Sequence, residues 1–169
     1  SRLTRIFGTA AVILGILLFM RFLAHGKGGV NQWIPDFYAK TVFDIDFAQL
    51  NERGIRCVAL DIDNTLLPDK GITLTPETIE YFRGQRDSGN IKTLILATNR
   101  YGGRIGTLGD DMHADSVVHA EGVSLKPFRS FYDRLAEKAG CPRGEIAMVG
   151  DKVLQDVYGG NRAGLTTVL

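Results

Sequence analysis

The chain has 169 residues, of which 44% are hydrophobic, and its 20 Lys and Arg against 19 Asp and Glu give a formal net charge of +1. This length suits one ordinary globular domain, and the composition excludes a chain that is disordered throughout. The balanced charge argues against a general nucleic-acid binder, because such domains are strongly basic. The charge is unevenly distributed, however: residues 1–30 carry +4 and no acid, and residues 31–169 carry −3.

The N-terminal segment contains an uncharged apolar run over residues 6–20 with basic residues on both sides. As a helix this run covers roughly 22 Å, and an extension of four residues brings it to about the thickness of a bilayer's hydrocarbon core. Arg21 would then lie near the helix end, where its side chain can reach the headgroups. Three alternatives stay open: an uncleaved membrane anchor, the apolar part of a signal peptide, and a helix buried against protein. We therefore expect an apolar N-terminal helix within residues 1–30 and one catalytic domain over residues 31–169.

Apolar runs of strand length alternate with helical patterns after residue 30. The predicted strands cover residues 57–62, 93–97, 116–118, 146–149 and 166–169, and the predicted helices cover 46–52, 76–87, 103–108, 127–138 and 154–158. Short connections between alternating strands and helices predict an α/β fold with a parallel sheet covered on both faces. Because such sheets bind ligands at the carboxyl ends of their strands, the residues after each apolar run form the candidate site.

The two cysteines of the chain, Cys57 and Cys141, lie 84 positions apart. Neither belongs to a metal-type pair such as C-x-x-C, so a zinc site is not indicated. We predict two thiols rather than a disulfide, which favours a reducing compartment.

Carboxylates, a hydroxyl group and an ammonium group follow four of the predicted strands. Asp61 and Asp63 follow the first strand, Thr98 the second and Asp151 the fourth, while Lys126 precedes the helix after the third. Clustered carboxylates repel one another, and a hard divalent cation such as Mg²⁺ relieves that repulsion. Asp61 can then attack phosphorus as a nucleophile to give an aspartyl-phosphate, and Asp63 suits a general acid and base. Lys126 and Thr98 supply a positive charge and a hydroxyl donor for the phosphate.

These motifs, in this order, resemble those of the haloacid dehalogenase (HAD) superfamily of phosphotransferases: Asp61-x-Asp63-x-Thr65, then Thr98, Lys126, and Gly150-Asp151 with Asp156. The resemblance implies a HAD-like Rossmannoid three-layer sandwich with a central parallel sheet. It also implies that Mg²⁺ is held by the side chains of Asp61 and Asp151 and by the backbone carbonyl of Asp63. Asp156 is either a further ligand or an outer support. The predicted site residues are, for catalysis, Asp61, Asp63, Thr98 and Lys126; for substrate binding, Asn64, Thr65, Asn99 and Lys126; and for the metal, Asp61, Asp63, Asp151 and Asp156.

A narrower resemblance is carried by Trp33-Ile34-Pro35-Asp36-Phe37-Tyr38, Phe43-Asp44-Ile45-Asp46 and Gly159-Gly160-Asn161-Arg162-Ala163-Gly164. This combination is similar to the YqeG-type branch of subfamily IIIA, which includes mitochondrial phosphatidylglycerophosphate phosphatases. The likeness implies a lipid phosphate as substrate. The apolar, basic N-terminal segment predicts a membrane surface as partner, and the balanced charge predicts no nucleic acid. The catalytic domain would then lie in the cytoplasm, or in the mitochondrial matrix of a eukaryote, with the N-terminal segment on the membrane.

The spacing of the motifs independently predicts an open site. There are 34 residues between Asp63 and Thr98 and 27 between Thr98 and Lys126, and each gap is mostly used by one helix and one strand. Neither gap has room for a cap domain, and an uncapped rim admits a bulky or surface-bound substrate. Two alternatives stay open: a phosphatase of a soluble ester such as a nucleotide or sugar phosphate, and an inactive HAD fold that only binds.

Overall fold

The computed structural model describes residues 29–68, 71–102 and 105–169. The predicted apolar helix over residues 6–24 lies outside the described residues. Among the residues that are described, no helix combines the length and the apolar character needed to cross a membrane.

Five parallel strands form the central sheet in the order β3-β2-β1-β4-β5. The strands are β1 (Cys57–Leu60), β2 (Thr93–Thr98), β3 (Ser116–His119), β4 (Ile146–Val149) and β5 (Thr166–Val168). The predicted parallel α/β sheet is therefore confirmed, with strand ends displaced by at most two residues. The chain moves outward from β1 to β3 on one side and returns to β4 on the other, so the strand order reverses between β1 and β4. Ligands of open α/β sheets bind at such a reversal.

In the part of the chain that the structure describes, one α-helix precedes β1 and four follow strands: α1 (Phe47–Glu52), α2 (Pro76–Asp87), α3 (Ile105–Asp111), α4 (Arg129–Ala139) and α5 (Gly159–Ala163). A π-helical turn (Val153–Tyr158) leads into α5, and short 3₁₀ turns occupy Gly29–Trp33, Val42–Asp44 and Arg143–Glu145. Helix α2 begins as predicted because the Thr75 hydroxyl accepts the Thr78 amide and Pro76 suits the first turn. Helix α4 begins two residues later than predicted, because the Phe128 amide donates to the Leu125 carbonyl and closes a turn first.

Both faces of the sheet are buried under helices. Val58 and Leu60 of β1 lie in one apolar cluster with Phe47 of α1 and Phe82 of α2. Ala59, which points to the opposite face because side chains alternate along a strand, lies in a second cluster with Phe131, Tyr132 and Leu135 of α4. This arrangement accounts for the continuous apolar character of β1, β2 and β4.

The segment before α1 covers the edge of β5. The Phe37 amide donates to the Thr167 carbonyl at 3.1 Å, and the Leu169 amide donates back to the Phe37 carbonyl at 3.0 Å. The Asp36 carboxylate accepts the Thr167 amide at 2.9 Å. These bonds satisfy backbone groups that an open sheet edge would leave exposed.

Asn161 of α5 binds the backbone of the segment before α1. Its Nδ2 donates to the carbonyl oxygens of Gln32 and Ile34, each at 2.9 Å, and Trp33 stacks on Tyr158 with ring centroids 4.2 Å apart. The two outer motifs of the narrower resemblance, around Asp36 and around Asn161, therefore join the N-terminal segment to the sheet.

The prediction of two free thiols is wrong in this structure. Cys57 and Cys141 form a disulfide, with Cα atoms 7.2 Å apart. Cys57 begins β1 and Cys141 follows the C-terminal end of α4, which packs on the same face of the sheet. Separation along the chain carried no information about this proximity.

Candidate active site

A buried ammonium group joins two carboxylates beneath the rim of the sheet. Asp61 directly follows β1, where its amide donates to the Val149 carbonyl of β4 at 2.8 Å. Lys126 Nζ donates to Asp61 Oδ1 and to Asp156 Oδ1, both at 2.6 Å, and to the Ala97 carbonyl at 3.0 Å. All three ammonium protons are therefore used, and each of the three charged side chains is at least 96% buried.

Burial dominates the protonation of this group. Removal from water raises the pKa of Asp61 from 3.8 to about 6, against the lowering effect of Lys126 and together with the charge of Asp156. Burial therefore disfavours the charged, nucleophilic form of Asp61, and the Lys126 ammonium group favours it. Burial opposes the charge of Lys126 as well, but Asp156 and Asp61 outweigh it and raise the pKa of the lysine.

Asp151 completes a cluster of three carboxylates with Asp61 and Asp156. One oxygen from each lies within 4.8 Å of the others. Asp61 Oδ2 is buried and has no hydrogen-bond partner in the part of the chain that the structure describes. Such an orphaned carboxylate oxygen is costly, and three carboxylates with one ammonium carry a net charge of −2. A divalent cation with oxygen ligands fits this donor set, because it would neutralise the charge and satisfy the orphaned oxygen.

Gly150 allows Asp156 to approach the end of β4. A Cβ atom at position 150 would lie 2.3 Å from the Asp156 carboxyl carbon and from its Oδ2. That Oδ2 accepts the Lys152 amide at 3.1 Å, so the carboxylate is held there from the other side. The glycine before Asp151 is therefore a steric requirement of the cluster.

We expect Gly150→Ala to displace Asp156 from Lys126, to lower the free energy of unfolding by about 1 to 3 kcal/mol, and to reduce turnover with it. Gly144→Ala is the matched control, because a Cβ atom there meets nothing within 4 Å. Urea unfolding and phosphate release measured on both variants test this expectation. A Gly150→Ala protein as stable and as active as Gly144→Ala would contradict it.

Thr98 and Asn99 occupy the end of β2 in different ways. Thr98 is fully buried, and its hydroxyl accepts the Arg100 amide at 3.1 Å. Asn99 brackets the backbone of Lys126: its Nδ2 donates to the Lys126 carbonyl at 2.9 Å, and its Oδ1 accepts the Lys126 amide at 2.7 Å. The Asn99 amide therefore holds Lys126 in place, and its predicted role in substrate binding stays a prediction.

The Asp63 carboxylate turns away from the carboxylate cluster. Both of its oxygens accept Nε of Arg100 at 2.9 Å, and Arg100 Nη2 donates to Oδ1 as well. Arg100 Nη1 donates to the Gly71 carbonyl at 2.8 Å. The motifs did not reveal this pairing; the signal in the sequence was a basic residue directly after Thr98-Asn99, at the strand end next to β1.

Asn64 and Thr65 line a cavity of about 100 Å³ beside the rim. Asn64 adopts a left-handed φ of 59°, which asparagine tolerates, and its Nδ2 donates to Asp151 Oδ2 at 3.3 Å. The Thr65 hydroxyl is buried and has no partner among the described residues. The other walls combine polar and apolar residues, namely Ala39, Lys40, Thr41, Val42, Ile45, Val149, Gly150, Asp151, Val168 and Leu169.

No cap covers this rim within the described residues. Helix α2 is the one helix described between β1 and β2, and α3 is the one described between β2 and β3. The predicted residues Asp61, Lys126, Asp151 and Asp156 lie together, with Asn64 beside them. Asp63 is engaged by Arg100 at the edge of the cluster.

Comparison with known proteins agrees with this geometry. The HAD-hydrolase-like family matches residues 124–169. The protein named probable phosphatase YqeG of Bacillus subtilis is 29% identical over 137 residues, which cover 81% of this chain and 76% of that protein. The chloroplastic phosphatidylglycerophosphate phosphatase 1 of Chlamydomonas reinhardtii is 24% identical over 176 residues, 99% of this chain, and the chain covers 61% of its length.

The fold has a counterpart among solved structures. A HAD phosphatase from Thermococcus onnurineus superposes with a TM-score of 0.56 at 20% identity, covering 67% of this chain and 85% of that one. In its fold, in the residues of its site and in these matches, the chain is similar to phosphatases of the HAD type. Among the relatives, its sequence is similar to the YqeG-type phosphatases in particular, as the motifs predict.

Proposed function

We propose that this phosphatase removes the terminal phosphate of phosphatidylglycerophosphate at a membrane surface, with Mg²⁺ as cofactor and Asp61 as nucleophile. The observation that carries the chemistry is the buried Asp61 carboxylate, which Lys126 holds through Oδ1 while Oδ2 has no partner among the described residues. Lys126 thereby fixes the orientation of the Asp61 carboxylate at the end of β1.

In the first half-reaction an oxygen of Asp61 forms a bond to phosphorus, and the bond from phosphorus to the leaving alcohol oxygen breaks. Asp63, which takes up a proton from solvent before this step, donates it to that oxygen, so the product leaves as a neutral alcohol. In the second half-reaction a water molecule attacks the aspartyl-phosphate and gives its proton to Asp63. The bond between phosphorus and the Asp61 oxygen breaks, inorganic phosphate leaves, Asp61 is again a carboxylate and Asp63 is again protonated.

The carboxylates of Asp61, Asp151 and Asp156 would hold Mg²⁺, which supplies charge neutralisation where the phosphate meets the carboxylates. Asn64 orients Asp151 through its side-chain amide, and Asn99 fixes the backbone of Lys126. Buried Lys126 keeps Asp61 and Asp156 from repelling each other before the cation binds.

The distribution of exposed apolar side chains supports a lipid substrate. Among the described residues, six of the ten large apolar side chains that are more than a third exposed lie in the segments that follow the carboxyl ends of β1, β2, β3 and β4: Ile72, Tyr101, Val123, Phe128, Val153 and Leu154. Exposed apolar residues in one region mark surfaces for protein or membrane. The apolar, basic N-terminal segment would add attraction to an anionic bilayer. The similarity to the algal lipid phosphatase supports the same substrate.

The test compares Mg²⁺-dependent phosphate release from phosphatidylglycerophosphate in anionic mixed micelles with release from soluble nucleotide and sugar phosphates. We expect kcat/KM for the lipid to exceed that for each soluble ester by about tenfold or more, equivalent to about 1.4 kcal/mol. A soluble ester that equals the lipid would overturn the lipid assignment and keep the phosphatase. Absence of both Mg²⁺ binding and hydrolysis would favour the inactive binding module.

Phe128→Ser tests the docking rim separately. Phe128 precedes α4 at its N-cap position, where serine is favourable, so the helix should remain intact. We expect the ratio of lipid turnover to p-nitrophenyl phosphate turnover to fall severalfold. Ile34→Ser is the control, because Ile34 is also exposed. It precedes the part of the chain that pairs with β5 in parallel, and so lies away from the carboxyl ends of the strands. Equal ratios in the two variants would contradict a role for the exposed apolar residues of the rim in lipid binding.

A further inference from the structure

Arg100 engages the residue that must exchange protons with the leaving group. Its guanidinium group bonds both carboxylate oxygens of Asp63 and the carbonyl of Gly71. The side chains of Arg100 and Asp63 are only 21% and 18% exposed, so water screens this pair weakly. Forked pairing of this kind is stronger and more directional than pairing with lysine.

This pair constrains the proposed reaction. A carboxyl group can donate a proton to the leaving oxygen only through an oxygen that is turned toward it, and both Asp63 oxygens face Arg100. Part of the pairing must therefore be released while the substrate is bound. An anion on the substrate can cause that release, because it competes for the same guanidinium group.

We propose that Arg100 is a specificity-determining residue that binds a second anionic group on the leaving alcohol and thereby frees Asp63 for proton transfer. This inference rests on the proposed function. The substrate class is a phosphomonoester whose leaving alcohol carries another negative charge a few bonds away, such as a phosphodiester across one glycerol unit.

The distances favour this assignment. A leaving oxygen that accepts a proton from Asp63 lies about 3 Å from the carboxyl oxygen, and the guanidinium group lies a further hydrogen bond away, so the two are about 6 Å apart. One glycerol unit between two phosphates spans a similar length. The binding energy of the second anion is used to break the Arg100–Asp63 pair, so the preference appears in kcat more than in KM.

The test uses two soluble substrates with the same terminal glycerol phosphate: glycerol 3-phosphate and the deacylated headgroup glycerophosphoglycerol phosphate. For the wild-type chain with Mg²⁺ we expect kcat for the second to exceed kcat for the first by about tenfold or more. Arg100→Gln should bring that ratio to within about twofold of unity, and Arg100→Lys should give an intermediate ratio. Arg83→Gln, which removes an exposed arginine paired with Glu80 on α2, should keep the wild-type ratio.

The outcomes distinguish a failure of the proposed role of Arg100 from a failure of the proposed phosphatase activity. Equal kcat values for the two substrates in the wild type, or an Arg100→Gln protein that loses the same factor on both, would overturn the role of Arg100 and leave the phosphatase intact. A purely structural role lowers both rates together, whereas the proposed role changes their ratio. A wild-type chain that hydrolyses neither substrate nor the lipid would overturn the proposed function itself. If Arg100→Gln does not fold, the ratio in Arg100→Lys decides.

Discussion

Asp61→Asn is expected to lower Mg²⁺-dependent phosphate release by a factor of about 10⁴ or more, because no other group can take over a covalent nucleophile. The amide keeps the size of the carboxyl group and can still accept the Lys126 bond that Asp61 Oδ1 accepts. Phosphate release at saturating substrate and Mg²⁺ measures the effect. Asp87→Asn at the exposed C-terminal end of α2 is the control and should retain wild-type turnover.

The same variant separates catalysis from stability. Burial raises the pKa of Asp61, so its charged form is disfavoured in the fold, and its removal leaves Lys126 balanced by Asp156. We therefore expect the free energy of unfolding of Asp61→Asn to be the same as that of the wild type, or higher by up to about 1 kcal/mol. A protein that loses activity only because it unfolds would contradict this assignment, as would one that retains turnover.

Lys126→Met is expected to have the largest effect on stability. It leaves Asp61 and Asp156 buried with like charges and without the ammonium group that now binds both. Breaking a buried ion pair by removing one partner costs about 3 to 5 kcal/mol, so urea unfolding should shift by that amount. Turnover should be lost as well, because the nucleophile is no longer oriented.

A second substitution tests whether the stability lost in Lys126→Met comes from the unpaired charges of the buried carboxylates. Asp156→Asn added to Lys126→Met removes one of the two unpaired carboxylates and should recover part of the lost stability without restoring turnover. Lys138→Met on the exposed side of α4 should stay within about 0.5 kcal/mol of the wild type. If Lys126→Met were as stable as Lys138→Met, the buried ion pairs would not hold the site together.

The parts of the fold that follow from local pattern were predictable. β4 and α2 have the predicted bounds because an apolar run, a capping threonine and a proline define them within a few residues. The positions of Asp61, Lys126 and Asp151 were predictable for a related reason. Each stands at the carboxyl end of a strand or just before the next helix, and parallel strands bring those positions to one edge.

Features set by long-range geometry were not predictable. The pairing of Arg100 with Asp63 depends on the direction that the long arginine side chain takes. The start of α4 depends on the turn that the Phe128 amide closes with the Leu125 carbonyl. The segment before α1 contacts the edge of β5 through Asp36 and Thr167, which lie 131 positions apart. No periodicity in the sequence indicates this contact. The motifs around it were visible in the sequence, but their contacts were not.

Chemical trapping can detect an aspartyl-phosphate on Asp61. The full chain is mixed with substrate and Mg²⁺, quenched in acid and treated with borohydride, which reduces an acyl phosphate to an alcohol and so converts the phosphorylated aspartate to homoserine. Peptide mass spectrometry then locates the change. We expect homoserine at position 61, dependent on substrate and absent from Asp61→Asn. Active turnover without that modification, or with the modification at another aspartate, would contradict it.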